Sequence, residues 1–284
     1  MRVIDAHQHV WDPAVVDYPW LTPGLGPLNR AFTHADVQHE MAAVGVTASI
    51  LVQAADNLAD TAFMLLEAAR SPTVAGVVAW VPLDNAKRVI QLLDGWQVAG
   101  ASVVGVRHLI HREPDPDWVL RPDVLSGFDV LIERDLPFDF CAESLDLLRN
   151  VGELAEQRPD LSIVVDHLGK PPIASCGWQP WARLLNQAAA HANVVAKLSG
   201  LNTAARAGRR GAKDYQPYVD HALEVFGSTR LMYGGDWPFA LLGANSYQDI
   251  WNPLRQCLNR LSESELAAVL GDTASRIYHL RPVS

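Results

Sequence analysis

Residues 1–12 read Met-Arg-Val-Ile-Asp-Ala-His-Gln-His-Val-Trp-Asp, or MRVIDAHQHVWD. A short apolar run ends in His7 and His9, two positions apart. Along a β-strand, side chains two apart share a side, so both imidazoles reach one cavity if the run is a strand. The stretch alone does not choose among three readings: metal ligands, a substrate clamp, or two histidines hydrogen-bonded at a strand end. The partners have to come from elsewhere in the chain.

Working outward, the same pattern returns seven more times. Apolar, β-branched runs occupy 46–55, 74–83, 102–110, 136–142, 161–169, 194–200 and 230–238. Several are continuously apolar, as strands buried on both faces of a parallel sheet must be. Between them lie stretches with apolar residues at helical spacing: 57–71, 85–97, 122–135, 143–159, 178–192, 214–227, 247–261 and 262–280. Asn85 suits an N-cap and Pro122 a first helical position. Eight strand–helix units in 284 residues predict an α/β fold, a (β/α)8 TIM barrel, as one domain over 1–284. A doubly wound open sheet is the alternative, but no glycine-rich phosphate loop follows the first strand.

A barrel carries its functional groups at the C-terminal ends of its strands. Polar residues gather there: His7 and His9, Gln53, Arg107 and His108, Asp139, Asp166, His167 and Lys170, Lys197 and Ser199, then Asp236 with Trp237. A purely structural barrel has no need of so many charges on one rim.

Bulk properties narrow the function. Hydrophobic residues make up 49% of the chain, ample for a core, and the formal charge of −9 argues against a nucleic-acid surface or a basic membrane patch. No apolar run is long enough to span a bilayer, and no secretory signal is visible. Three scattered cysteines form neither a disulfide framework nor a zinc motif, so a reducing cytoplasm is expected. The tract Tyr18–Pro27 reads as an ordered loop, and the nine tryptophans include candidates for stacking on a ligand: Trp11, Trp20, Trp80 and Trp237.

DAHQHVWD, YPWL, GVRHLI, DHLGKP, KLSG and YGGDWP, in that order on alternating strands, resemble the amidohydrolase superfamily. They are most similar to its amidohydrolase-2 group, in the branch of sugar-lactone and dicarboxylate-lactone hydrolases. The resemblance runs from residue 3 to the end. It implies an amidohydrolase-type barrel that hydrolyses a cyclic ester. It also implies that Asp236 is the general base activating water; the alternative is an aspartate serving the turn before Pro238.

Neutral imidazoles at His7 and His9 suit a divalent metal of the zinc type. Two-metal members of the superfamily add a lysine or glutamate on strand 4 and histidines on strands 5 and 6. Here strand 5 offers Asp139, and strand 4 offers Arg107 and His108. The binuclear set is incomplete, and some members of the lactonase branch bind substrate directly through their histidines. The expectation is therefore no required metal, with one divalent ion such as zinc on His7, His9, His167 and Asp236 as the alternative.

The expected catalytic residues are Asp236, His7, His9, His167 and Arg107, with His167 or Arg107 polarising the lactone carbonyl. Gln53, His108, Asp139, Lys170, Lys197, Trp11 and Trp237 are expected to contact the substrate. Asp166 alternates to the other strand face and reads as structural. Residues 204–215, with Arg206, Arg209, Arg210 and Lys213, read as a solvated loop or, alternatively, a lid. The predicted activity is hydrolysis of a small-molecule lactone, a neutral sugar (aldono-) lactone rather than a dicarboxylate. Two rivals stand beside it: a metal-dependent decarboxylase of the same superfamily and a non-catalytic sugar-acid binder. A homo-oligomer is left open.

Overall fold

The computed structural model describes residues 2–280. Eight strands form one sheet in chain order: β1 (Ile4–Gln8), β2 (Ala48–Val52), β3 (Val74–Ala79), β4 (Val103–His108), β5 (Phe138–Phe140), β6 (Ile163–Val165), β7 (Val194–Leu198) and β8 (Leu231–Tyr233). Neighbours pair in parallel from β1–β2 through β7–β8. The last strand meets the first. Asp236 N donates to His7 O at 2.7 Å and His9 N to Trp237 O at 2.7 Å, with a parallel bridge between Gln8 and Trp237. The expected TIM barrel is present, and its seam joins the segments that carry His7, His9 and Asp236.

Local chemistry explains where the intervening helices start. Asn57, Asn85, Ser144 and Ser246 each accept from the backbone N–H three residues on, so each satisfies one otherwise orphaned donor. Pro122 opens its helix at the first position. β1, β2 and β5–β8 are buried at every residue, as double-faced burial requires.

Among the elements that differ from the sequence expectation, Leu201–Ala204 forms a short helix beyond β7. Gln38–Ala43 is helical, although QHEMAA is too short to show an apolar period. The expected helix over 262–280 divides into Glu263–Ala267, a π-turn over Ala268–Asp272, and Thr273–Ile277. At its break Gly271 packs against the start of the chain, where a Cβ would fall 2.1 Å from Arg2 O. Among the described residues no helix is long and apolar enough to cross a membrane.

Candidate active site

A cavity of about 260 Å³ opens at the C-terminal ends of the strands. Its lining includes His9, Gln53, Arg107, His167, Lys170, Asp236 and Trp11, seven of the residues expected from the sequence. His7 lies directly beneath, with no exposed surface.

The imidazoles converge on one carboxylate oxygen. Asp236 Oδ1 lies 3.8 Å from His7 Nε2, 3.5 Å from His9 Nε2 and 3.9 Å from His167 Nε2. The other ring nitrogens decide what each Nε2 offers. His9 Nδ1 faces Val52 O at 2.7 Å; a carbonyl only accepts, so the proton sits on Nδ1 and neutral His9 presents a lone pair at Nε2. Arg107 donates to His7 Nε2 at 3.2 Å, which makes that nitrogen an acceptor as well. His7 Nδ1 lies between Asp166 Oδ1 at 3.2 Å, which accepts, and Lys197 Nζ at 3.1 Å, which donates. His167 is different. Its Nδ1 partner is the Ser199 hydroxyl at 2.7 Å, which can donate or accept, so His167 can present either a proton or a lone pair at Nε2.

Burial sets the charges. It drives the His7 pKa well below the ordinary histidine value despite the attraction of Asp166, with Lys197 helping to lower it. It lowers His167 to about 4 against the pull of Asp236. Asp236 goes the other way. Burial would raise it, but the attraction of His167, His7 and Lys170, with His9 close by, holds it below the usual carboxylate range. The result is an ionised carboxylate facing two imidazoles, His7 and His167, that burial keeps from charging. Asp236 Oδ2 is buried and has no hydrogen-bond partner among the described residues.

The backbone is bent to achieve this. Asp236, His167, Leu168 and Lys170 all have positive φ, between 53° and 56°. Non-glycine residues rarely adopt this region, and such strain concentrates at functional sites. The glycines of GGDW allow close approach, though by the protein's own side chains. A Cβ on Gly234 would lie 2.7 Å from His7 Cβ, and one on Gly235 would lie 2.5 Å from Asp5 Oδ2. Asp5 accepts from Gly235 N at 2.7 Å and His7 N at 3.0 Å, so one carboxylate ties the backbone beside Asp236 to the backbone of His7.

Four expected substrate contacts lie elsewhere. Lys197 is fully buried beneath His7; it pairs with Asp139, lies 3.2 Å from Asp166 Oδ1 and 3.1 Å from His7 Nδ1. Asp139 is likewise buried, held by Lys197 and the Tyr278 hydroxyl, with its pKa raised to about 6 by burial. Both point into the barrel but one layer too deep to touch a ligand. His108 stacks on Trp118 with centroids 4.2 Å apart, accepts from Trp80 Nε1, and lies 2.7 Å from Glu113. Trp237 packs edge-on against Phe32. None of the four lines the cavity.

Asp166, read as structural, is instead central to the layer under the site. It lies 3.2 Å from His7 Nδ1, from Arg107 Nε and from Lys197 Nζ. Wall residues the sequence reading passed over are His111, Arg112, Glu143 and Phe239. All four lie in the segments beyond strand ends, His111, Arg112 and Phe239 in short 3-10 turns, and that position is the signal that could have found them. Trp20 lines the cavity as considered, whereas the Tyr18 hydroxyl donates to Asp60 at 2.9 Å. The 204–215 segment is absent from the lining; its Arg209 pairs with Asp214 at 3.3 Å.

The donor set at the cavity floor suits a divalent ion. His7, His9 and Asp236 offer atoms within 4.8 Å of one another, burial keeps His7 neutral, and each Nδ1 has a second partner, as metal-bound histidines usually do. The unpartnered Asp236 Oδ2 is free for a water or an ion. Arg107 competes for the His7 lone pair, so that hydrogen bond and an ion on His7 are alternatives. A second group, His111, Cys141 and Glu143, is less suited, because Arg107 donates to Cys141 at 3.3 Å and Lys170 sits 3.7 Å from Glu143. Cations already occupy its surroundings.

Comparison with known proteins agrees with this architecture. The sequence model of the amidohydrolase family matches residues 4–280. An L-fucono-1,5-lactonase of Burkholderia multivorans is 35% identical over 288 residues, covering 98% of this chain and 96% of its own. The crystal structure of an amidohydrolase from Burkholderia multivorans with bound zinc superposes with a TM-score of 0.87 at 34% identity, covering 99% of this chain and all of that one. A 5-carboxyvanillate decarboxylase from Sphingomonas paucimobilis, at 15% identity and a TM-score of 0.65 over 99% of both chains, shares the fold alone.

Proposed function

This chain belongs to the amidohydrolase family, and from that premise we propose that it hydrolyses a cyclic ester, with a sugar (aldono-) lactone as its substrate class. The observation that carries the reading is the floor of the cavity: one ionised carboxylate, Asp236, facing three imidazole Nε2 atoms within 3.9 Å. The nearly full-length likeness to an L-fucono-1,5-lactonase supports it. The aromatic wall of Trp11, Trp20 and Phe239 supports it too, since a sugar ring stacks an apolar face on such rings.

In this mechanism the lactone carbonyl sits over the floor beside Asp236. Asp236 takes a proton from water as the water oxygen attacks the carbonyl carbon. The carbonyl oxygen gains negative charge, which Arg107 and His167 offset by donating to it. His167 is fit for this because its hydroxyl partner leaves its tautomer free. The ring carbon–oxygen bond then breaks, and Asp236 returns the proton to the departing alkoxide. No covalent intermediate forms.

A divalent ion such as zinc would be held by His7, His9 and Asp236, with His167 beside them as a fourth donor. Such an ion would supply electrophilic polarisation at the same oxygen and acidify bound water. The expectation of no required metal is accordingly replaced by a site with the donors for one.

A pH-indicator screen of sugar lactones, with and without chelator, tests the function. The wild type opens at least one aldonolactone, and Asp236→Asn lowers kcat by about 10²–10⁴-fold with the thermal transition retained. Undiminished turnover in that variant overturns the assignment of Asp236. Failure of the wild type on every lactone overturns the function.

A further inference from the structure

The residue just past β2 carries an acceptor that the protein itself does not use. Gln53 is fully buried and lines the cavity. Its amide is not free to turn. Nε2 donates to Asp56 Oδ1 at 2.9 Å and to Arg107 O at 3.3 Å. Both partners are acceptors: a backbone carbonyl has no hydrogen to give, and Asp56 Oδ1 already takes the Leu109 N–H at 3.0 Å. Turning the amide over would set its oxygen against two acceptors, so its partners fix the orientation. Both amide hydrogens are thereby spent. What remains is Oε1, buried and with no hydrogen-bond partner among the described residues. A buried acceptor left unpaired costs free energy, and a donor that enters the cavity recovers it.

The backbone around this amide is held as firmly. Gln53 N donates to Val78 O at 3.0 Å. Before it in the chain, the Val52 carbonyl takes the His9 Nδ1 proton; after it, the Ala54 carbonyl takes Trp20 Nε1 at 2.7 Å. Three consecutive residues thus anchor a floor imidazole, an unpaired acceptor and one ring of the aromatic wall. Resting on the lactonase reading, we propose that Gln53 Oε1 is the specificity-determining acceptor for one hydroxyl of the substrate, and that Asp56 is the positioning residue that keeps it an acceptor. The lactone must bring a hydroxyl hydrogen to this point. A lactone deoxygenated there leaves the acceptor unpaired, and an ether or carbonyl oxygen there opposes it. A site built to hydrogen-bond a hydroxyl rejects the analogue lacking it far more strongly than an apolar pocket rejects a missing methylene.

The test takes the aldonolactone that the wild type opens fastest, galactono-1,4-lactone and glucono-1,5-lactone being the first offered, together with the monodeoxy analogue at each of its hydroxyls. In the wild type one analogue loses about tenfold or more in kcat/KM, the cost of an acceptor left unpaired. Gln53→Met keeps the length of the side chain and removes the acceptor. It raises KM for the parent by about the same factor, and it no longer distinguishes the parent from that one analogue, while the other analogues lose as much as they do in the wild type. Asp56→Ala frees the amide to turn and raises KM for the parent; combined with Gln53→Met it adds nothing, because it acts through that amide. A merely structural role for Asp56 would instead lower Tm and affect every analogue alike. The inference is overturned if the wild type tolerates every single deoxygenation, or if Gln53→Met leaves the pattern of losses unchanged, as it would if Oε1 held only a water. Neither result touches the lactonase reading, which fails only if the wild type opens no lactone.

Discussion

His7 Nε2 and His9 Nε2 stand 3.1 Å apart, and their other partners make an acceptor of each. Arg107 donates to the first, and the Val52 carbonyl takes the Nδ1 proton of the second. Two acceptors at that distance repel unless a proton or a cation lies between them. A proton on His9 is one solution, and a divalent ion shared by the two rings is the other. The carboxylate of Asp236 stabilises either.

The two solutions separate in a thermal-shift experiment. Zinc added to chelator-treated, dialysed protein raises Tm, because an ion that binds only the folded state stabilises it by about 2.7 kcal/mol at a hundred times its Kd. For a chain of this size that is a rise of about 4–5 °C. His9→Ala removes a ligand and abolishes the rise. A wild-type transition indifferent to zinc leaves the proton as the solution.

The layer under the site makes a different prediction. Lys197 separates two buried carboxylates, Asp139 and Asp166. Lys197→Met leaves Asp139 without its cation beside Asp166, which keeps Arg107, and breaking a buried pair in this way costs about 3–5 kcal/mol. Urea denaturation at pH 7 measures the loss, and adding Asp139→Asn to the variant restores part of it. If Lys197 touched substrate instead, the variant would keep its stability and raise KM.

These residues show what was legible in the sequence and what was not. The barrel was readable because eight apolar runs and their helices repeat with one period, and because strand ends concentrate polar groups. His7, His9, His167 and Asp236 were readable for the same reason. Depth was not: Lys197 and Asp139 lie on strands facing inward, and sequence gives the side but not the layer. Asp166 was misjudged through alternation. β6 ends at Val165, and the chain then turns through positive φ at His167 and Leu168, so the alternation of a strand no longer applies and neighbouring Asp166 and His167 both serve the site. Glu143 and His111 sit beyond strand ends, in segments whose paths depend on packing rather than on a local period.

A further prediction concerns pH and lies away from the floor of the site. Asp60 is buried at the start of the helix Leu58–Arg70 and accepts from Tyr18, Ala54 N and Ala55 N. Burial outweighs those hydrogen bonds and raises its pKa from 3.8 to about 6. Between these values the folded chain holds a proton that the unfolded chain has released, so stability falls as pH rises through this window, and the loss is complete above pH 6. A shift of this size is worth about 3 kcal/mol. Asp60→Asn cannot ionise and does not suffer that loss. Asp5 and Asp139, whose pKa values burial also raises to about 6, titrate alike in both proteins and cancel from the difference. Unfolding free energies of wild type and variant, measured by denaturant from pH 4 to pH 7, therefore diverge in favour of the variant as pH rises. A difference that stays constant across that range would show that Asp60 is ionised throughout.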